Sequence, residues 1–122
     1  MIPEKMLEVL KDEGVVSIVT QAREAHVVNT WNSYIKITED GKLLIPAGRM
    51  NTTEDNIKEN NKVLVTLGSR EVDGFHSKGT GFLIEGIGEF LYQGKDYEIM
   101  KERFPWMRGT LVIKVDKITQ TL

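Results

Sequence analysis

The chain has 122 residues, 40% of them hydrophobic and 28% charged, with a formal net charge of -2 at pH 7. That size and balance suit one globular domain spanning residues 1–122, and they argue against a broad nucleic-acid interface, which needs clustered Lys and Arg. The absence of cysteine excludes disulfides, thiolate metal sites and cysteine nucleophiles.

No apolar run is long enough to cross a bilayer, so no membrane role is expected. The opening Met1-Ile2-Pro3-Glu4-Lys5-Met6 lacks the pattern of a signal peptide, and a cytoplasmic location is expected. Residues 3–13 read as a short helix, with Pro3 in its first turn and Gly14 ending it. Residues 15–20 form a β-branched strand. Residues 26–37 read as one long strand, interrupted by the polar cluster Asn29-Thr30-Trp31-Asn32-Ser33-Tyr34. Asp40-Gly41 is a hairpin signal, and Leu43 to Ile45 pairs back. A helix is expected at about residues 52–60, with Thr52 or Thr53 as its N-cap. Strands follow at 62–71 and 82–92, separated by a glycine-containing loop at 74–81; Gly86 and Gly88 allow a bulge or a sharp bend in the second. A helix at 95–104 stops at Pro105. Residues 110–115 form the last strand, and 118–122 a tail. Several antiparallel strands with glycine bends and a few short helices imply a mainly β fold, a closed or partly closed barrel.

Two stretches carry chemistry. An apolar strand ends at Pro46, turns through Gly48 and opens a Thr-rich helix start, whose free N–H groups suit a phosphate. Arg49 could add a planar, permanently charged fork. An ordinary capped helix would read the same way. Trp31, Tyr34 and Trp106 could wall a site for a flat ring or belong to the core. Trp31 and Tyr34 would face opposite sides of a regular strand, unless a bulge intervenes. Asn29, Thr30, Asn32 and Ser33 need water, a polar ligand or an exposed edge, because burying them unpaired is costly. His26 and His76 have no metal-ligand spacing, and no metal site is expected.

The run Val28-Asn29-Thr30-Trp31-Asn32-Ser33-Tyr34, together with Gly79-Thr80-Gly81-Phe82-Leu83-Ile84, Arg103-Phe104 with Trp106, and Gln120-Thr121-Leu122, resembles the small bacterial FMN-binding proteins of the split-barrel superfamily. That superfamily also holds pyridoxamine 5′-phosphate oxidases and flavin reductases. The resemblance implies a six-stranded antiparallel split β-barrel and a homodimer with one non-covalent FMN per subunit near the interface. It implies that Asn29 and Thr30 contact the flavin, that Trp31, Tyr34 and Trp106 lie near its ring, and that Leu122 covers the flavin of the other subunit. Ser33, Gly48, Arg49, Thr52 and Thr53 complete the expected FMN site. Where the family's turn reads Pro-x-Gly-Gly-Met-x-Lys-Thr, this chain has Pro46-Ala47-Gly48-Arg49-Met50-Asn51-Thr52-Thr53. Arg49 replaces the second glycine, and Thr52 replaces the phosphate-binding lysine. Arg49 is close enough in sequence to supply the missing charge; Arg70 and Lys78 are the alternatives.

The implied function is electron carriage through bound FMN, to and from an unknown redox partner protein. The alternative is an NAD(P)H-dependent flavin reductase or a small FMN-dependent oxidase of the same fold. The chain leaves little beyond the barrel for a nicotinamide site and contains no evident acid–base pair, so no catalytic residue is assigned.

Overall fold

The computed structural model describes residues 1–122. In chain order the elements are α1 (Glu4–Val9), β1 (Val15–Gln21), β2 (Ala25–Trp31), β3 (Lys36–Ile37), β4 (Leu43–Ala47), α2 (Asn51–Glu59), β5 (Lys62–Asp73), β6 (Lys78–Leu91), α3 (Lys95–Arg103) and β7 (Gly109–Gln120). All seven strands join one antiparallel sheet in the order β2-β1-β5-β6-β7-β4-β3.

Alternation along the strands builds two cores. Val16 and Ile18 of β1, Val63, Val65 and Leu67 of β5, and Leu43 and Ile45 of β4 point into the main core, which Met6 and Val9 of α1 also enter. Leu44, between two inward residues of β4, points the other way. It meets Met100, Phe104, Met107 and Val112 in a second cluster under α3. Opposite faces of one strand thus serve two cores, which explains why β4 is buried along its whole length.

Several expectations are corrected. The sheet has seven strands rather than six, because the long strand expected at 26–37 is two strands separated by a single 3-10 turn, Asn32–Tyr34. The cause is Asn32. Its buried Nδ2 lies within hydrogen-bonding distance of the carbonyls of Val9 (3.4 Å), Asp12 (3.0 Å) and Gly68 (3.1 Å), pulling the chain out of the ladder. Two of these carbonyls, of Val9 and Asp12, lie at and just beyond the end of α1, which stops at Val9 rather than running to residue 13. The expected tail at 118–122 is strand as far as Gln120, since Leu83 and Ile84 of β6 pair with Thr119 and Ile118. The loop expected at 74–81 is short, because β5 and β6 extend to Asp73 and from Lys78. The irregularity expected at Gly86 is there, but the extra residue lies on the partner strand: Glu85 faces Lys117 and Gly86 faces Val115, so Asp116 of β7 is left over and the bulge is on β7 rather than β6. A side chain on Gly86 would overlap the Lys114 carbonyl there.

Asn32 makes a testable centre. Replacing it with alanine removes both N–H donors from three main-chain carbonyls; at about 1 kcal/mol per hydrogen bond, stability should fall by about 2 kcal/mol. Urea unfolding of Asn32→Ala measures this, and an unshifted midpoint would show that the side chain does not hold the turn.

The outermost strands, β2 and β3, are consecutive in sequence and are joined only through residues 32–35. They stand at opposite ends of the sheet order and do not pair with each other. The sheet therefore curls round until its edges approach along a seam bridged by the 3-10 turn.

Candidate functional site

A pocket of about 600 Å³ opens at this seam. Val28, Asn29, Thr30 and Trp31 of β2 form one wall, and Pro46, Gly48, Arg49 and Met50 of the β4–α2 turn form another. Tyr34, Trp106 and Val15 complete it. Its volume lies within the range usual for small-molecule sites.

The aromatic wall is positioned from several elements. The 3-10 turn re-aims Tyr34, so that it and Trp31 line the same pocket, which a regular strand would forbid. The Tyr34 ring lies 5.0 Å from Phe104 and 5.8 Å from Trp106, and Phe104 lies 5.6 Å from Trp106. Trp106 sits on the loop between α3 and β7. Lys101 Nζ donates to the Pro105 carbonyl at 2.8 Å and to the Met107 carbonyl at 2.6 Å, clasping that loop on both sides of the indole. Trp31 is 44% exposed and Trp106 54% exposed. Neither is a core residue; both offer a face to the pocket. A Cβ on Gly48 would lie 3.2 Å from the Trp106 ring, so the turn passes against the indole where a larger residue would press on it.

The polar residues fall into different settings. Asn29 Nδ2 donates to the Val16 carbonyl at 3.3 Å, fixing its amide at the pocket edge. Thr30 is buried in the wall. Ser33 does not line the pocket. Its hydroxyl donates to Glu13 Oε2 at 2.6 Å and its N–H to Glu13 Oε1 at 3.1 Å, while its carbonyl accepts from Arg103 Nη2 at 2.9 Å. Thr52 lies on another face of α2, in a smaller pocket of about 290 Å³ beside Arg23, His26 and Asn56. Thr53 is 1% exposed, and its Oγ1 has no hydrogen-bond partner. Neither threonine is the N-cap. Met50 takes that place in the left-handed conformation, φ 58° and ψ 36°, with no side-chain cap. Leu122 lies in a separate pocket of about 630 Å³ with Arg70 and Lys78, and Val15 is its common wall with the aromatic pocket. Thr80 Oγ1 and Gln120 Nε2 donate to the Leu122 main-chain oxygen at 2.8 and 2.9 Å.

Charge at the turn comes from two arginines. The Arg49 side chain lines the pocket, is exposed, and makes no hydrogen bond or ion pair. Arg108, which the sequence did not single out, is fully engaged beside it: its Nη1 pairs with Glu54 Oε1 at 3.1 Å. Lys78 pairs with Glu71 at 3.3 Å and lines the Leu122 pocket rather than this one. Val15, Val28 and Met50 were also missed as lining residues. An apolar residue on a strand carries no sequence mark of facing a ligand rather than the core. No group of His, Cys, Asp and Glu is placed to hold a metal, and no helix is long and apolar enough to cross a membrane.

Glu13 makes the 3-10 turn sensitive to pH. The Ser33 hydroxyl, then the Ser33 and Gly14 N–H groups, stabilise its carboxylate and hold its pKa below the ordinary carboxylate range. A lowered folded pKa adds stability that is present above the unfolded value and lost as pH falls through the folded one. Wild type should therefore lose stability on acidification through that window, and Glu13→Gln should show a flatter profile. Urea midpoints measured between neutral and acid pH test this; parallel profiles would remove Glu13 from the account.

Residues 2–121 match the family described as pyridoxamine 5′-phosphate oxidase. The chain belongs to that family. Among curated relatives, an FMN-binding protein of Nitratidesulfovibrio vulgaris (strain DSM 19637 / Miyazaki F) is 47% identical over 123 residues, covering 100% of both chains. Among solved structures, HupZ of Group A Streptococcus superposes with a TM-score of 0.81 at 17% identity, over 98% of this chain and 94% of that one. An FMN-binding protein from Syntrophomonas wolfei subsp. wolfei gives 0.75 at 19% identity, over 98% and 85%. Those two likenesses establish the fold, the split barrel of the pyridoxamine 5′-phosphate oxidase family, here with seven strands in its sheet.

Proposed function

We propose that this member of the pyridoxamine 5′-phosphate oxidase family binds FMN non-covalently in the seam pocket and carries electrons through it. One observation carries the reading: a pocket walled by half-exposed tryptophans, in a chain 47% identical end to end to a protein named for FMN binding. The residues fit such a group. The exposed faces of Trp31 and Trp106 suit a flat tricyclic ring. Asn29 and Thr30 offer polar groups to its edge. The buried, unpartnered Thr53 Oγ1 in the first turn of α2 leaves hydrogen-bonding capacity for the phosphate end, where the helix N-terminus favours an anion. Flavin, when bound, supplies one- and two-electron chemistry; the protein orients it, limits its contact with water and tunes it by packing.

The proposed working unit is a homodimer. Val27 and Phe75 are exposed, as are Trp31 and Trp106, and Leu122 is 65% exposed beside the Val15 wall. A second copy would bury such residues, with its Leu122 side chain over the flavin. Analytical ultracentrifugation should give a mass of two chains; a monomer at micromolar concentration would remove the partner's contribution.

The function is tested on purified protein. It should carry flavin absorbance, release FMN on denaturation, reduce and reoxidise reversibly, and turn over NADH or NADPH no faster than free FMN. Protein that holds no flavin and takes up none sinks the binding. Rapid nicotinamide turnover would make it a reductase instead.

A further inference from the structure

The β4–α2 turn is held from outside itself. Met50 is the only non-glycine residue with positive φ, a region that L side chains disfavour. Its own helix offers no side-chain cap to offset that. The restraint comes from Arg108, just before β7. Its N–H donates to the Ala47 carbonyl at 2.9 Å. Its Nε and Nη2 donate to the Arg49 carbonyl at 2.9 and 2.6 Å. Its Nη1 pairs with Glu54 Oε1, in the first turn of α2, at 3.1 Å. One planar fork thus grips the residue before Met50 and the helix after it. A lysine, as a point charge, could not span both.

We propose that Arg108 is a positioning residue. It locks Arg49 and Met50 in the left-handed turn, so that the Arg49 guanidinium and the first N–H groups of α2 stand ready for the cofactor phosphate. This inference rests on the seam pocket being the FMN site. The clamp acts by preorganisation. Without it, Met50 relaxes to ordinary backbone regions, and only a fraction of molecules holds the competent turn. Apparent affinity falls by that fraction. The penalty for a left-handed L residue makes this a factor of about ten. Glycine feels no such penalty.

The test titrates FMN and riboflavin into wild type, Arg108→Gln, Met50→Gly and the double variant, following flavin fluorescence. Arg108→Gln should weaken FMN by about tenfold but riboflavin, which lacks the phosphate, by less than about threefold. In the Met50→Gly background the same change should weaken FMN by less than about threefold. Arg108→Lys should behave like Arg108→Gln. Equal losses for both flavins, an undiminished loss in the glycine background, or a wild-type response from Arg108→Lys each overturn the clamp. If wild type binds neither flavin, the FMN reading itself has failed. The clamp is then judged on the protein alone: amide exchange of Asn51 to Thr53 should accelerate in Arg108→Gln, and unchanged exchange overturns it.

Discussion

Replacing Trp106 with alanine should weaken FMN binding roughly thirtyfold, from about 2 kcal/mol of lost aromatic contact and burial. It should also brighten the bound flavin, because an indole near the ring quenches it by electron donation. The magnitude follows from how the residue is held. Trp106 is half exposed before anything binds, so its face is available. It is also stiffened by Tyr34, Phe104 and the Lys101 clasp, so little is lost in ordering it. Trp106→Phe should retain most of the affinity. Trp31→Ala should act in the same direction from the opposite wall. If both alanine variants keep wild-type affinity and fluorescence lifetime, the tryptophans do not face the ring.

Arg49→Ala should erase most of the preference for FMN over riboflavin while leaving riboflavin binding nearly unchanged. The phosphate of FMN is close to a dianion at neutral pH. Thr53 and the helix N-terminus supply hydroxyl and partial charge, and the position where the wider family has lysine is Thr52, which lies in another pocket. Of the basic side chains around the turn, Arg108 is taken by Glu54 and the Arg49 carbonyl, whereas the Arg49 guanidinium is uncommitted. A charge-assisted hydrogen bond contributes about 1.5–3 kcal/mol, so the preference should fall by roughly ten- to a hundredfold. Paired titrations of the two flavins decide it. A variant that still prefers FMN as strongly as wild type would move the charge elsewhere, with Arg23 beside Thr52 the next residue to change.

Much of the fold was legible because apolar alternation and turn chemistry act locally. The strand starts at Val15 and Lys62, the Asp40-Gly41 turn and the bulge near Gly86 all came from short patterns. What failed depended on partners distant in sequence. The 3-10 turn at Asn32 exists because its side chain reaches α1 and β5, and nothing between residues 26 and 37 announces those carbonyls. The cap of α2 was assigned to Thr52 or Thr53 by local preference, whereas Arg108 holds the chain in a form that makes Met50 the cap. Among the expected site residues, Asn29, Thr30, Trp31, Tyr34, Gly48, Arg49 and Trp106 gather in one pocket. Thr53 lies buried in the first helical turn behind it. Ser33 instead ties Glu13, and Thr52 and Leu122 line other pockets.

The seam gives the pocket a place in the order of folding and opening. β5, β6 and β7 form a continuous antiparallel block, but β4 must find β7 from far along the chain, Leu43 against Ile113, and β2 hangs from β1 alone. Such distant pairings close late. Edge strands with one neighbour also exchange their amides through small local openings rather than global unfolding. A ligand that binds only the closed seam slows exchange through those openings by the factor one plus the ratio of free ligand to its Kd. Bound flavin should therefore protect β2 and β3 strongly while leaving β6 almost untouched. The rate at which the protein gives up its cofactor would then be the rate at which its two edges part.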